Sequence, residues 1–285
     1  MSRLLVLGCG YVGAELCRRA RAAGWETLGV VRSESSRDRL RSEGLAVERA
    51  DVLAGGLPSL AFRPEAVVYA LSAGGGGDDA YRAAYAEGPA RAADWAARVG
   101  ARTLVLASST GVYRREGEVD ESSPAGGDPQ SDLLVEGERA VLAAAVPARA
   151  VLRLGGLYGP GRHYLLDQLR RGDLVVGGAS STRVNYLHRD DAAEACLAAL
   201  AVPPGAHLLN VTDGHPVTKA ELARWICARL GRGEPVLDPG APAGPRARRT
   251  GRVTPDRRVR SEAIRALLGW KPRFASVFEG LAPLI

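Results

Sequence analysis

Three glycines near the start of the chain constrain its fold more than any other feature. Leu4 to Leu7 is a short apolar run of the kind that forms a buried strand, and Ala14 to Ala23 takes up helical spacing. Between them Gly8, Gly10 and Gly13 form the pattern G-x-G-x-x-G, with Tyr11 and Val12 inside it. In a strand–turn–helix unit the first glycine allows the tight turn and the second lets the backbone approach a pyrophosphate. The third lets the helix pack closely on its strand. The helix N-terminus adds unpaired N–H groups and a partial positive charge that suit phosphate. A purely structural tight turn is the alternative.

The rest of the N-terminal half repeats this order. Strands are expected at Glu26–Val31, Ala46–Ala50, Glu65–Ala70, Arg102–Ala107 and Ala148–Leu154, with a long alanine-rich helical pattern from Asp78 to Val99 that breaks at Gly88-Pro89. Alternating strand and helix predict an α/β fold, a Rossmann-type doubly wound parallel sheet with ligands at the strands' carboxyl ends. We expect this part to span 1–154 and 184–211, and a smaller C-terminal substrate-covering part to be built from 155–183 and 212–285.

The residue at the tip of the second strand selects the cofactor. An NAD site carries a carboxylate about twenty residues past the glycines, bonded to the ribose 2′-hydroxyl. Here Arg32 stands there, with Ser33 beside it and Arg37 a turn further on. A guanidinium suits a 2′-phosphate, and a charge-assisted hydrogen bond of roughly 1.5–3 kcal/mol is enough to favour NADP over NAD. Glu34 is the competing carboxylate. Asp51 and Val52 close the third strand, where they either touch the adenine or merely end the strand. Ala70, Leu71 and Ser72, followed by Gly74 to Gly77, either pass close to the cofactor or form a flexible connection.

Bulk properties exclude several classes. The 285 residues hold 46% hydrophobic and 25% charged side chains, ordinary for a soluble globular protein. No apolar run reaches the ~18–20 residues needed to cross a bilayer, and the chain enters a strand directly without a signal-peptide n-region, so no membrane role and a cytoplasmic location are expected. Four cysteines (Cys9, Cys17, Cys196, Cys227) show no C-x-x-C pairing, so neither zinc nor a disulfide framework is indicated and no metal ligand is assigned. The net charge of +6 is carried almost wholly by arginine. The run Arg246 to Arg252 lacks aromatic interleaving or a recognition helix, so nucleic acid is not an expected partner. The acidic group Glu116, Glu118, Asp120 and Glu121 reads as a solvated loop, and Asp190-Asp191 as the cap of a helix from Ala192 to Ala201.

Several motifs together resemble the extended short-chain dehydrogenase/reductases, the NAD-dependent epimerase/dehydratase-like group. They are Gly8–Gly13, Ser108-Ser109-Thr110-Gly111-Val112-Tyr113, Asp120–Pro124, Arg153–Gly161, Tyr186–Ala193, Leu268–Phe274 and Glu279–Leu281. They span nearly the whole chain in the right order. The resemblance implies a cofactor pocket completed by Ser108, Gly156 and Leu157, with Ser109 polarising a substrate oxygen. It implies a small-molecule substrate lying near Thr110, Arg162 and His163. Arginines of the smaller part, Arg252 among them, would grip a substrate diphosphate. It also implies a homodimer formed through the helices near Ala80–Val99 and Asp132–Ala145.

The chain departs from that family at its chemistry. Members carry Tyr-x-x-x-Lys after the serine loop, yet no tyrosine stands between Tyr113 and Tyr158 and no lysine before Lys219. Bringing a tyrosine from pKa ~10 to ~7 takes about 4 kcal/mol of differential stabilisation, and the segment supplies no cation for it. Tyr113 and Tyr158 are the alternative proton donors, each with packing as the competing role. His163 has a pKa suited to proton transfer, with a solvent-facing loop as its default, and His188 reads as structural. The expected activity is an NADP-dependent oxidoreductase or epimerase-like reaction on a hydroxyl- or carbonyl-bearing small molecule, a nucleotide sugar being one case. The rival is a catalytically silent NADP-binding sensor or scaffold.

Overall fold

The computed structural model describes residues 1–54, 57, 62–74, 77–241 and 254–285. Its strands are β1 (Arg3–Leu7), β2 (Glu26–Val31), β3 (Val47–Arg49), β4 (Ala66–Tyr69), β5 (Thr103–Ser109), β6 (Gly117–Val119), β7 (Ala148–Leu154) and β8 (Gly156–Tyr158). They continue as β9 (Val175–Gly177), β10 (Arg183–Val184), β11 (Tyr186–His188), β12 (Gly205–Val211), β13 (Val217–Thr218), β14 (Val236–Asp238) and β15 (Arg257–Val259). The helices are α1 (Tyr11–Ala22), α2 (Glu34–Ser42), α3 (Gly77–Arg82), α4 (Gly88–Arg98), α5 (Pro129–Leu142), α6 (Tyr164–Arg170), α7 (Arg189–Ala198), α8 (Lys219–Arg229), α9 (Glu262–Leu268) and α10 (Val277–Leu281).

Seven strands form one parallel sheet in the order β12-β7-β5-β4-β1-β2-β3. The order runs outward in both directions from β1 and β4, so the switch point of a doubly wound sheet lies between these two strands. The pleat of β1 explains why both faces are covered. Leu4 and Val6 point into the core under α1 and α7, while Leu5 and Leu7 point into the core under α4 and α5. A third core of Tyr158, Leu166, Leu169, Leu222, Ile226 and Val277 sits under α6, α8 and α10. Ile264 and Trp270, late in the chain, return to the sheet and bury beside Leu209 and Val211.

The structure corrects several local expectations. The third strand is only Val47–Arg49, whereas β5 runs two residues further than expected and includes Ser108 and Ser109. The long helix breaks before Gly88, through a π-helical turn at Ala83–Glu87. Pro89 has no N–H for the carbonyl four residues back, which is that of Tyr85. The acidic stretch is not a free loop: Gly117–Val119 pairs with Arg257–Val259, and Glu121 accepts the N–H of Asn210 at 2.7 Å. His188, not Asp190-Asp191, caps α7, its Nδ1 accepting the Asp190 N–H at 3.2 Å. Asp191 instead accepts the N–H groups of Arg273 and Phe274.

Gly137 on α5 lies against that π-turn, and a Cβ added there would stand 2.0 Å from the Tyr85 carbonyl oxygen and 3.1 Å from Pro89. Backbone cannot yield as a side chain does. Gly137→Ala should therefore lower the unfolding free energy by roughly 1–3 kcal/mol in urea titration.

Candidate functional site

The carboxyl ends of β1, β4, β5 and β7 share one edge of the sheet. Leu7 pairs with Tyr69, Tyr69 with Leu106, and Ser109 with Leu154. This register brings the glycine turn, Ala70-Leu71, the serine loop and Gly155-Gly156 together, as the sequence reading expected of a ligand site.

Each glycine of the turn has its own reason. Gly8 has φ +94°, and its missing Cβ would lie 2.6–2.7 Å from the backbone of Ala70 and Leu71. A Cβ on Gly13 would stand 2.3 Å from the Gly8 carbonyl oxygen, so the approach of α1 to β1 needs glycine there. A Cβ on Gly10 would meet nothing within 4 Å. Packing therefore does not demand glycine at Gly10, whereas a pyrophosphate drawn close to the backbone does. No side chain caps α1 and no acidic residue sits in its first turn, which leaves its positive end open to an anion. Val12 is buried; Tyr11 lies under the guanidinium groups of Arg162 (5.1 Å) and Arg189 (5.5 Å). The Tyr11 hydroxyl is buried without a hydrogen-bond partner among the described residues.

The two arginines expected near a 2′-phosphate differ in their surroundings. Arg37 donates to Asp38 (2.9 Å) and to Glu34 (2.8 Å), which also occupies the competing carboxylate. Arg32 is exposed, makes no hydrogen bond or ion pair among the described residues, and lies beside Gly74, 3.9 Å from where a Cβ would stand. Ser33 caps α2 by accepting the Ser36 N–H. Asp51 holds a turn by accepting the N–H groups of Leu53 and Ala54, and Val52 is buried. Ser72 is exposed beside half-buried Leu71. Arg252 lies outside the described residues.

Beneath the serine loop runs a buried polar network. Ser108 donates to Glu138 at 2.6 Å, and Glu138 pairs with Arg153 at 2.6 Å. Arg153 donates to the Tyr113 hydroxyl at 2.9 Å, and Tyr113 donates to Asn210 Oδ1 at 2.8 Å. Tyr113 is fully buried, and desolvation raises its pKa despite the neighbouring guanidinium. Ser109 differs from Ser108: its Oγ accepts the Gly111 N–H at 3.0 Å, and its own proton has no acceptor among the described residues. The Thr110 carbonyl accepts from Arg257 at 3.0 Å. Glu138, Arg153, Asn210 and Arg257 escaped the sequence reading, although an arginine inside the apolar run Ala148–Leu154 signals a buried partner.

Next to the serine loop, β8 leads into a cavity of about 250 Å³ lined by Gly156, Leu157, Tyr158, His163, Tyr186 and Lys219, among others. Tyr158 is buried, donates to the Ser276 carbonyl at 3.3 Å, and has its pKa raised by burial. His163 is buried rather than solvent-facing; it caps α6, and desolvation lowers its pKa to about 4. Arg162 is exposed at the rim. Beneath Tyr158 and Tyr186, burial pushes the Asp213 carboxyl up to about 7. Cys9 and Cys17 lie with their sulfurs 3.8 Å apart and are free thiols. No group of His, Cys, Asp and Glu able to hold a metal ion occurs among the described residues, and no helix there is long and apolar enough to cross a membrane.

A parallel doubly wound sheet with a glycine turn at its switch edge defines a dinucleotide-binding α/β protein. The chain belongs to the NAD dependent epimerase/dehydratase family, whose profile matches residues 4–211. It is 33% identical over 308 residues, covering 98% of this chain and 99% of the relative, to a 3-diazoavenalumate denitrifying reductase from a Streptomyces species. Its fold is similar to that of a functionally unknown conserved protein from Silicibacter pomeroyi (25% identity, TM-score 0.82, 100% of this chain and 98% of that one). It also matches UDP-glucose 4-epimerase from Thermotoga maritima solved with UDP-glucose (18% identity, TM-score 0.80, 98% and 96%). The family and the reductase relative together make this a protein of the oxidoreductase or epimerase kind.

Two outcomes follow from this geometry. Gly10→Ala should leave the unfolding midpoint within about 0.5 kcal/mol of wild type but abolish dinucleotide binding in calorimetry, whereas Gly13→Ala should lose both. Asp213 keeps its proton to about pH 7 in the folded chain and releases it near 3.8 when unfolded, so stability falls as pH rises between those values. Asp213→Asn should gain about 2–3 kcal/mol on wild type between pH 5 and pH 8, read from urea unfolding at each pH.

Proposed function

We propose that this chain is an NADP-dependent oxidoreductase acting on a hydroxyl- or carbonyl-bearing small molecule. The single observation that carries the proposal is the open cradle at Gly10 beneath the uncapped end of α1, with the unpaired guanidinium of Arg32 at the tip of β2. The residues fit the dinucleotide: Gly8, Gly10 and Gly13 with the first N–H groups of α1 would hold the pyrophosphate, and Arg32 with Ser33 the 2′-phosphate. Ala70, Leu71 and Gly156-Leu157 would flank the rest. A bound nicotinamide supplies or accepts hydride.

The chain's own part in the chemistry centres on Ser109. The Gly111 N–H fixes its Oγ, leaving the hydroxyl proton to be donated to a substrate oxygen as charge develops there. Ser108 is committed to Glu138 and serves position instead. Tyr113 and Tyr158 hold their protons tightly, because burial outweighs their polar contacts. The reductase relative supports a reduction as the reaction. The absence of both tyrosine and lysine from α5 favours the silent NADP-binding alternative, and that reading predicts binding without turnover.

Calorimetry and a carbonyl panel separate these outcomes. NADPH should bind more tightly than NADH, and Arg32→Ala should weaken NADPH by about 10- to 150-fold while leaving NADH unchanged. Ser109→Ala should retain NADPH affinity and reduce NADPH oxidation against aldehydes and ketones by about 100-fold. An absence of binding by either nucleotide overturns the proposal, and tight binding with no turnover selects the silent form.

A further inference from the structure

We infer that the cavity beside β8 seats a small ring-bearing carboxylate, with the His163 Nε2–H as the donor that reads its oxygen. This deepens the function proposed above, on which it rests for calling the cavity's occupant the substrate.

The tautomer of His163 follows from its backbone contact. The Leu166 N–H can only donate, and it points at His163 Nδ1 from 3.1 Å. Nδ1 must therefore hold its lone pair, and the single proton of the neutral ring sits on Nε2. A proton on Nδ1 would set two donors face to face. Desolvation pushes the same way, holding the imidazole neutral down to about pH 4. The ring is thus a fixed hydrogen-bond donor at any physiological pH.

That donor has no acceptor. Nε2 is buried without a hydrogen-bond partner among the described residues, and the side chain lines the cavity. A buried N–H left unsatisfied costs about 1–3 kcal/mol, a cost that an acceptor oxygen entering the cavity removes. The walls say what carries that oxygen. His163 stacks on Tyr186 with centroids 6.1 Å apart, and Tyr158 meets both rings edge-on at 6.0 and 5.8 Å. Leu165 and Val176 complete an apolar, largely flat surround. Among the described residues no acidic side chain lines the cavity, while Arg162 and Lys219 do.

Size decides between a compact acid and a nucleotide sugar. The cavity's volume of about 250 Å³ lies below the ~300–1,000 Å³ of pockets that enclose drug-sized ligands. A single ring with a carboxylate matches the donor, the exposed Arg162 guanidinium at the rim and the apolar walls together.

The test uses the full-length protein, with and without NADPH, and the probes benzoate, 4-hydroxybenzoate, neutral benzyl alcohol and UDP-glucose. His163→Asn is the informative variant, because asparagine still caps α6 but carries no donor at the Nε2 position. Imidazole ¹⁵N spectra at pH 7 should show the neutral Nε2–H form, shifting when benzoate is added. Both carboxylates should bind at millimolar concentration or tighter, and about 10- to 150-fold more weakly in His163→Asn. Benzyl alcohol should bind weakly and respond little to the variant. A proton on Nδ1, equal carboxylate affinity in wild type and variant, no carboxylate binding at millimolar concentration, or UDP-glucose binding in preference to the acids each overturns the inference. NADPH affinity is read separately, so failure of the cofactor assignment is distinguishable from failure of this one.

Discussion

The Arg153–Glu138 ion pair is the interaction on which the geometry of the site depends. Both side chains are almost wholly removed from water, and two of the guanidinium nitrogens reach the carboxylate. A pair at such depth adds little net stability, because desolvation offsets the Coulomb gain, yet breaking it by losing one partner costs about 3–5 kcal/mol. Its effect is to fix position. It joins β7 to α5, takes the hydroxyl of Ser108 from β5, and reaches β12 through Tyr113 and Asn210. Successive strand residues point to opposite faces, so holding Ser108 toward α5 turns Ser109 the other way.

Burial explains why a tyrosine beside an arginine is not an acid near neutral pH. Tyr113 has a guanidinium nitrogen 2.9 Å from its hydroxyl, a contact that favours the phenolate. Desolvation, which favours the neutral phenol, outweighs that contact, and the Glu121 carboxylate pushes the same way. Burial raises the pKa of Tyr158 and Tyr186 as well, with the nearby Asp213 carboxylate adding to it, so their protons are held firmly. On the proposed function, acid–base chemistry in this chain differs from the Tyr-x-x-x-Lys pattern in kind. It offers fixed donors, Ser109 and the His163 Nε2–H, in place of a phenol tuned to lose its proton.

Local pattern carried the sheet. Leu4–Leu7, Glu26–Val31 and Ala148–Leu154 are apolar runs with glycine or polar ends, and each became the strand its pattern implies. The parallel, doubly wound character of the sheet followed from the alternation of elements. What stayed hidden depends on contacts distant in sequence. His163 reads as a loop residue beside Gly161 and Arg162, and only the packing of α6 and β8 buries it. Glu138 looks like one more surface acid of α5 until Arg153 and Ser108 arrive across the sheet. The π-turn at Ala83–Glu87 was half legible, since Pro89 announces a break but its place depends on Gly137 of α5.

The cofactor edge and the cavity are mechanically joined, and this bears on how one could inform the other. Tyr11, in the first turn of α1, lies under Arg162 at the cavity rim, and a Cβ on Gly159 would come within 2.9 Å of its hydroxyl. Phosphate drawn to α1 and a carboxylate drawn to Arg162 therefore act on a single guanidinium–aromatic contact, worth on the order of 0.5–2 kcal/mol. Any energy exchanged between the two ligands through that contact is bounded by that figure and is reciprocal.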